Sequence, residues 1–346
     1  MPNDHSRASG DPSITLPESP VERLLELSEA IARRKRWFQG WSSLRFAAVG
    51  LLVLPDEADA LVERLFDTAH DLYGLLSPFS TLRTDLRFCL ASMLMRQGRT
   101  AGEYVDALAS VRRGFREQRL GRSEVHEGLA CAVLLDAADG DLPHASRVEA
   151  LAAVYHGMRE HHPWVTGRDD YAAAALLSAS GERVDVIVER IEALYQALRG
   201  LRFTRGNQLQ LASHLLYFAP GPDAELAARF RAIYDAFKAD GRWMHEGDYD
   251  EMALLASFEL PTDEVVGRVS ADRRRLRAEL RPRPGPQAVF DLACATAVVG
   301  LIGSHADDQG RFSGLALAQL IGIVQAQQAA MVAASAGAAG AAAASG

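Results

Sequence analysis

The sequence predicts an all-α protein made of about six stacked helical hairpins. Pairs of large apolar residues recur every 39 to 44 residues, first at Met93-Leu94 and last at Val298-Val299. A second series of large apolar residues, from Phe115 to Leu276, recurs every 39 to 43 residues between these pairs. Two registers that share one period of about 40 residues indicate a repeated helix–turn–helix unit, because one such unit cannot bury its apolar face alone.

The residues between the two registers favour helices with sharp ends. Ala and Leu dominate, aromatic residues make up 7%, and no strand-like alternation competes with the helical period. Glycine and proline fall where helices must stop, as at Gly98 and in the run 220–222. We expect one helical-repeat domain over residues 19–332, after a disordered tail at 1–18 and before an Ala/Gly-rich low-complexity tail at 333–346. The sequence does not decide between an open α-solenoid superhelix and a closed α/α ring.

The composition narrows the classes of function. The formal charge is −8, which argues against a dedicated nucleic-acid binder. Cys89, Cys131 and Cys294 lie in apolar stretches without a Cys-x-x-Cys motif, so we expect buried thiols in a reducing compartment and a cytoplasmic protein. The longest apolar run, 292–303, spans twelve residues, which suits a core helix and predicts no membrane span.

Conspicuous polar residues lie where the first helices of the units begin. The candidate ligand-binding residues among them are Asp169, Asp170, Asn207, Gln210, His214, Asp248 and Tyr249. If these helix starts share one rim, their side chains would form a polar pocket suited to acid–base chemistry. Helix capping is the alternative, because 166–169, 207–210 and 248–251 have the spacing of a capping box. Capping leaves Asp170, His214 and Tyr249 unexplained.

No motif specifies a reaction. The chain has no Gly-x-Ser-x-Gly elbow, no phosphate loop and no Gly-x-Gly-x-x-Gly. His161-His162 and Asp169-Asp170 lack the spacing of metal ligands on a helix. We therefore predict no metal and no cofactor, the catalytic residues are unknown, and it stays open whether the protein is an enzyme.

Three basic clusters fall late in helices, at 33–36, 112–119 and 273–277. Cations there complement the negative end of the helix dipole, and solvated helix faces explain them. Their shared position predicts that they line one edge of the stack, where an anionic partner is the alternative explanation.

The chain resembles an uncharacterised bacterial family, domain of unknown function 4003. The matching stretches are Trp41 to Ala48 with the Pro78-Phe79-Ser80 turn, Thr166 to Tyr171, Asn207 to His214, and Asp248 to Leu255, followed by the Ala-rich end. The resemblance covers residues 20–335. It implies a helical cytosolic protein of unknown role and supplies no catalytic residues.

Two hypotheses of function follow. The first is a helical-repeat binding protein with a protein or peptide partner, which rests on the repeat and on the lack of motifs. The second is an enzyme or small-molecule sensor whose pocket lies at the starts of the first helices. The apolar segment Phe312 to Ala334 is expected to cap the last hairpin or to pair with a second subunit in a homodimer.

Overall fold

The computed structural model describes residues 15–136 and 145–309, and every regular element in these two ranges is helical. Outside the described residues lie positions 1–14 of the tail predicted at 1–18, the tail predicted at 333–346 and the segment Phe312 to Ala334. The described α-helices are α1 (Pro20–Arg34), α2 (Trp41–Leu51), α3 (Ala58–Leu75), α4 (Leu86–Arg96), α5 (Ala101–Glu117), α6 (Glu124–Asp136), α7 (Ala145–His161), α8 (Tyr171–Ser178), α9 (Val184–Gly200), α10 (Asn207–Leu216), α11 (Asp223–Ala239), α12 (Tyr249–Ala256), α13 (Thr262–Glu279) and α14 (Pro286–Gln309).

The helices form seven hairpins that close into an α/α ring. The odd-numbered helices pack against one another as an outer layer, and the even-numbered helices form an inner layer. The last hairpin returns to the first, because α13 contacts α1 and α14 contacts α2. Across this seam Arg275 Nη2 lies 2.6 Å from Glu22 Oε1, and the Arg45 guanidinium donates a hydrogen bond to the carbonyl oxygen of Pro282.

The ring contains one hairpin more than the repeat pattern predicted. The additional hairpin consists of α1 and α2, which precede the first recurring pair at Met93-Leu94. Residues 51–54 form a continuous apolar run, Leu-Leu-Val-Leu, in which no single pair stands out. The recurring signal is therefore hidden in this copy, although its helices pack like the others.

The two layers bury their residues differently. All eight residues of α12 are buried, whereas outer helix α13 buries only Val265, Val269, Asp272 and Leu276. Inner helix α12 is therefore buried on all sides, whereas outer helix α13 buries one stripe. Asp272 interrupts that stripe and is satisfied there, because Thr296 Oγ1 donates to its Oδ2 at 2.9 Å.

The predicted core positions of the cysteines and of the apolar run 292–303 are confirmed. All three thiols are buried. Among the described helices, α14 alone has the length and composition to cross a membrane, over Pro286–Ser304, and 72% of that stretch is buried inside the ring. It is an inner helix of the ring.

Close packing of the outer helices predicts opposite effects for two glycine substitutions. A Cβ on Gly157 of α7 lies 2.6 Å from Val188 Cγ2 of α9, whereas a Cβ on Gly267 of α13 meets nothing within 4 Å. Valine is stiff, so Gly157→Ala must separate the helices, and we expect a loss of about 1–3 kcal/mol of unfolding free energy. Gly267→Ala should gain about 0.5–1 kcal/mol from helix propensity. Urea unfolding measures both, and equal stabilities would contradict the packing.

Candidate functional site

The starts of all seven inner helices lie on one face of the ring, which we call the front rim. Successive helices joined by short turns run antiparallel, so every inner helix points the same way. The front rim consists of the seven turns that lead from an outer into an inner helix. They are residues 35–40, 76–85, 118–123, 162–170, 201–206, 240–248 and 280–285.

Hydrogen bonds link each front-rim turn to the turn or the inner helix of a neighbouring hairpin, around the whole ring. In ring order they are Gly40 N to Asp85 Oδ2 (2.6 Å), Thr81 N to Glu124 Oε2 (2.8 Å), Tyr171 OH to Gly121 O (3.0 Å), Asn207 Nδ2 to Asp169 Oδ2 (2.6 Å), Thr204 N to Tyr249 OH (3.3 Å), Gln287 Nε2 to Asp248 Oδ1 (2.9 Å), and Arg45 to Pro282 O. Several of the polar helix starts therefore hold neighbouring hairpins together, a role that neither capping nor a pocket describes.

The three capping pairs predicted from spacing are wrong. Thr166 Oγ1 accepts from Gln210 Nε2 at 2.8 Å, and Asp170 rather than Asp169 caps the turn by accepting from Gly167 N at 2.8 Å. Asp248 Oδ2 accepts from His245 N at 2.8 Å, three residues before it. Short 3₁₀ turns at 168–170 and 246–248 precede α8 and α12, and the caps begin at Gly167 and His245 instead of at Thr166 and Asp248.

The structure distributes the candidate residues over several junctions instead of one pocket. Asp169, Asp170, Asn207, Gln210 and His214 belong to the junction of the fourth and fifth hairpins, whereas Asp248 and Tyr249 serve the next two. Burial, together with the nearby charge of Asp169, raises the pKa of Asp170 to about 7.

His214 borders a cavity that is too small for a metabolite. Its volume is about 10 Å³, and Gln210, Ser213 and the hydrogen-bonded pair His162–Glu192 (2.7 Å) also line it. Burial lowers the pKa of His214 to about 3, so its imidazole is neutral. Neither imidazole nitrogen has a hydrogen-bond partner among the described residues. The volume suits roughly one water molecule, whereas ligand pockets span about 300–1,000 Å³.

A second polar group lies between α12 and α14. Arg242 Nη2 contacts Asp248 Oδ1 at 2.6 Å, and its guanidinium lies 3.4 Å from the ring centre of Phe290. Burial raises the pKa of Asp250, of Glu251 and, to about 7, of Asp291. Burial therefore favours the protonated, neutral form of these three carboxyls. The described residues contain no group of three or more His, Cys, Asp or Glu side chains placed to hold a metal ion.

Sequence reasoning missed Asp291 and Gln287, although both are polar residues near the start of the otherwise apolar helix α14. A polar residue in an otherwise apolar helix is a signal from which a polar contact could have been predicted. Gln287 Nε2 donates to Asp291, four residues on, and to Asp248, which lies 39 residues earlier in the turn before α12. Only the repeat period could have paired Gln287 with Asp248.

Four large aromatic side chains project from four different turns of the front rim. Their exposed fractions are 92% for Trp37, 95% for Phe79, 97% for Trp164 and 86% for Trp243. Phe38 packs edge to face on Trp37, with 5.8 Å between ring centres, and is itself half exposed. Sequence reasoning missed these residues, although an aromatic residue inside a turn, next to arginine or proline, is the signal that distinguishes them from core aromatics.

The other three turns of the front rim carry exposed arginines. They are Arg119 with Arg122, Arg202 with Arg205, and Arg281 with Arg283. The basic clusters at 33–36, 112–119 and 273–277 end on the same face. Six of the seven outer helices carry an acidic residue in their first turn, at the opposite rim. The net charge of −8 therefore conceals a basic, aromatic face.

Comparison with known proteins identifies a family. The model of a family described as protein of unknown function (DUF4003) matches residues 21–329. An uncharacterized protein, YeaA of Bacillus subtilis (strain 168), is 23% identical over 211 residues, which is 59% of this chain and 62% of that relative. The match thus spans less than two thirds of the relative's length. No solved structure matches the chain.

Proposed function

We propose a function for this chain as a member of the DUF4003 family, to which it belongs: it is a binding protein that attaches through its front rim to the surface of an anionic membrane. The observation that carries the proposal is the exposure of Trp37, Phe79, Trp164 and Trp243 on four turns of one face. Water solvates such rings poorly, whereas the interface between lipid headgroups and acyl chains favours them, tryptophan above all.

The spacing of the aromatic residues favours a membrane over a protein partner. Hot spots of protein interfaces cluster near the centre of a patch and fill desolvated pockets. Here the aromatic residues lie on separate turns. A turn that carries exposed arginines instead separates every neighbouring pair around the ring except Trp37 and Phe79. A protein would need a matching pocket for each ring, whereas a headgroup layer accepts separated side chains at one depth.

The charge distribution fits the same orientation. Cations near an anionic lipid surface each contribute about 1 kcal/mol, and the front rim exposes Arg119, Arg122, Arg202 and Arg205 in addition to its basic clusters. The acidic opposite rim is repelled by the same surface. Association is peripheral, and we place it on the cytoplasmic leaflet, because three buried thiols suit a reducing compartment.

The alternative, an enzyme or small-molecule sensor with a pocket at the inner-helix starts, has less support. Asp169, Asn207, Asp248 and Tyr249 are engaged in bonds between hairpins. The cavity beside His214 has the volume of about one water molecule.

Tryptophan fluorescence and vesicle sedimentation test the proposal. The wild-type protein should sediment with phosphatidylglycerol vesicles and not with phosphatidylcholine vesicles, and its emission should shift to the blue. The variant Trp37→Ala/Trp164→Ala/Trp243→Ala keeps only the half-buried Trp41. We expect its partition coefficient to fall about tenfold or more, without a blue shift. The removed side chains make few contacts, so thermal unfolding should stay unchanged.

Val186→Ala is the matched control, because this exposed apolar residue lies near the start of α9 on the opposite rim. It should bind vesicles like the wild type. Equal binding by the triple tryptophan variant and the wild type, or no binding of the wild type to anionic vesicles, overturns the proposal. Raised salt should weaken binding, since it screens the arginines.

A further inference from the structure

A cleft of about 510 Å³ lies on the front rim between the end of α13 and the start of α14. Four arginines line it, Arg273, Arg274, Arg277 and Arg283, together with apolar surface from Pro284 and Val289. Among the residues that the structure describes, no acidic side chain lines the cleft. Its volume lies within the range of about 300–1,000 Å³ that small-molecule sites span.

The arginines of this region divide into two groups by their partners. Those that hold the fold are paired: Arg275 contacts Glu22 and Glu279, and Arg281 donates to the carbonyl oxygens of Ala278 and Leu280. The four that line the cleft have no carboxylate partner among the described residues. Helix termination therefore explains Arg281, and the ring seam explains Arg275, but neither explains the four in the cleft.

Four unpaired guanidinium groups in one concave site create a strongly positive potential. Carboxylates would relieve their mutual repulsion, yet Glu22 and Glu279 are engaged with Arg275 instead, and Asp272 with Arg268 and Thr296. A planar guanidinium offers paired N–H donors that match the oxygens of a phosphate. Such a group of donors is suited to an anion with two or more charges.

The wall of the cleft is preorganised. Prolines occupy positions 282, 284 and 286, which restricts the backbone between the two helices. Arg45 of α2 holds the carbonyl oxygen of Pro282 across the ring seam. A rigid wall lowers the entropic cost of ordering Arg283 around a ligand.

We propose that this cleft binds a terminal phosphate group, either of a free phosphorylated metabolite or of a lipid headgroup that carries a phosphomonoester. The inference does not depend on the exposed tryptophans, because it needs only the four arginines. The volume exceeds that of a single phosphate, so the ligand contacts Pro284 and Val289 as well.

Calorimetric titration with inorganic pyrophosphate tests the site directly. We expect saturable binding by the wild type, and a loss of affinity of about tenfold or more in Arg273→Gln/Arg277→Gln/Arg283→Gln. The matched control is Arg202→Gln/Arg205→Gln, which removes two exposed cations of the front rim outside the cleft and should bind pyrophosphate like the wild type. Thermal unfolding of both variants confirms that the ring is intact.

Vesicles identify the source of the phosphate. A preference for phosphatidic acid over phosphatidylglycerol at equal charge, abolished by pyrophosphate, supports the site and assigns a lipid headgroup. Pyrophosphate binding without a preference for phosphatidic acid supports the site and identifies its ligand as a free phosphorylated metabolite. Absence of pyrophosphate binding, or an equal loss in the cleft variant and the control, overturns the inference. The triple tryptophan variant should still bind pyrophosphate, so failure of the membrane proposal is distinguishable.

Discussion

Replacing Arg242 by alanine is expected to lower the free energy of unfolding by about 3–5 kcal/mol, because it leaves a buried carboxylate without its cation. The side chains involved are 7% exposed for Arg242 and 0% for Asp248, and their contact is 2.6 Å long. Arg242 Nη2 also donates to Gln287 Oε1 at 2.8 Å, which connects the sixth hairpin to the seventh. The substitution therefore removes an ion pair and a link of the ring together.

A double variant separates these contributions. Asp248→Asn keeps an acceptor for the amide of His245 but removes the buried charge. We expect Arg242→Ala/Asp248→Asn to be more stable than Arg242→Ala, since no unpaired carboxylate remains. Arg274→Ala is the control, because Arg274 is exposed and should change stability by about 0.5 kcal/mol or less. Urea unfolding gives all four values, and an Arg242→Ala variant as stable as Arg274→Ala would contradict the argument.

The fold was predictable where its causes are local. Helix ends at Gly98 and Gly181 need a left-handed backbone, and the structure has φ of 64° and 75° there. The buried stripe of the outer helices follows directly from apolar spacing, as at Val111 and Phe115. The closure of the ring has no local cause. It depends on contacts such as Arg275 with Glu22, 253 residues apart in sequence.

The candidate site was predictable only in part, because its polar residues bond to residues about one repeat away. Asp169 and Asn207 are 38 residues apart, and Gly40 and Asp85 are 45 apart. Capping spacing considers only neighbours within one turn of helix, so it assigned these side chains to the wrong partners. The repeat period itself was the information needed to pair them.

The exposed aromatic residues show a different limit. Tryptophan is a large apolar residue of the kind that protein cores contain, and only the turn at 162–170 places Trp164 in solvent. Whether a side chain within a turn faces inward depends on how the turn lies against the neighbouring hairpin. Phe203 makes the point, since it also lies in a front-rim turn yet is buried against Phe230 and Tyr249.

The contribution of three buried carboxyls to the stability of the ring should fall as pH rises from about 4 to about 7, because burial favours their protonated form in the folded state. Burial raises the pKa of Asp170 and of Asp291 to about 7 and that of Glu251 well above its usual range. In the unfolded chain these groups titrate near 4. Between the unfolded and the folded pKa values, the folded state therefore holds more protons than the unfolded chain. The stabilisation that comes from these protonated carboxyls is fully present below about pH 4 and is lost as pH rises through the folded pKa.

Asp170→Asn isolates one of these groups. Asparagine keeps an oxygen that accepts from the amide of Gly167 and stays neutral at every pH. The stability of the variant relative to the wild type should therefore grow by about 1.4 kcal/mol per pH unit between pH 4 and 7, about 4 kcal/mol in all, and then stay constant. Urea unfolding at pH 4.5, 6 and 8 measures this difference.

Asp185→Asn gives the opposite sign and serves as the control. Asp185 is exposed, and its hydrogen bond from Arg183 lowers the pKa of the carboxyl. The Asp185 carboxylate therefore stabilises the folded state above the unfolded pKa of this group. The stability of Asp185→Asn relative to the wild type should not increase as pH rises. If Asp170→Asn behaved like Asp185→Asn, Asp170 would be ionised in the folded ring, and burial would not be what sets its protonation.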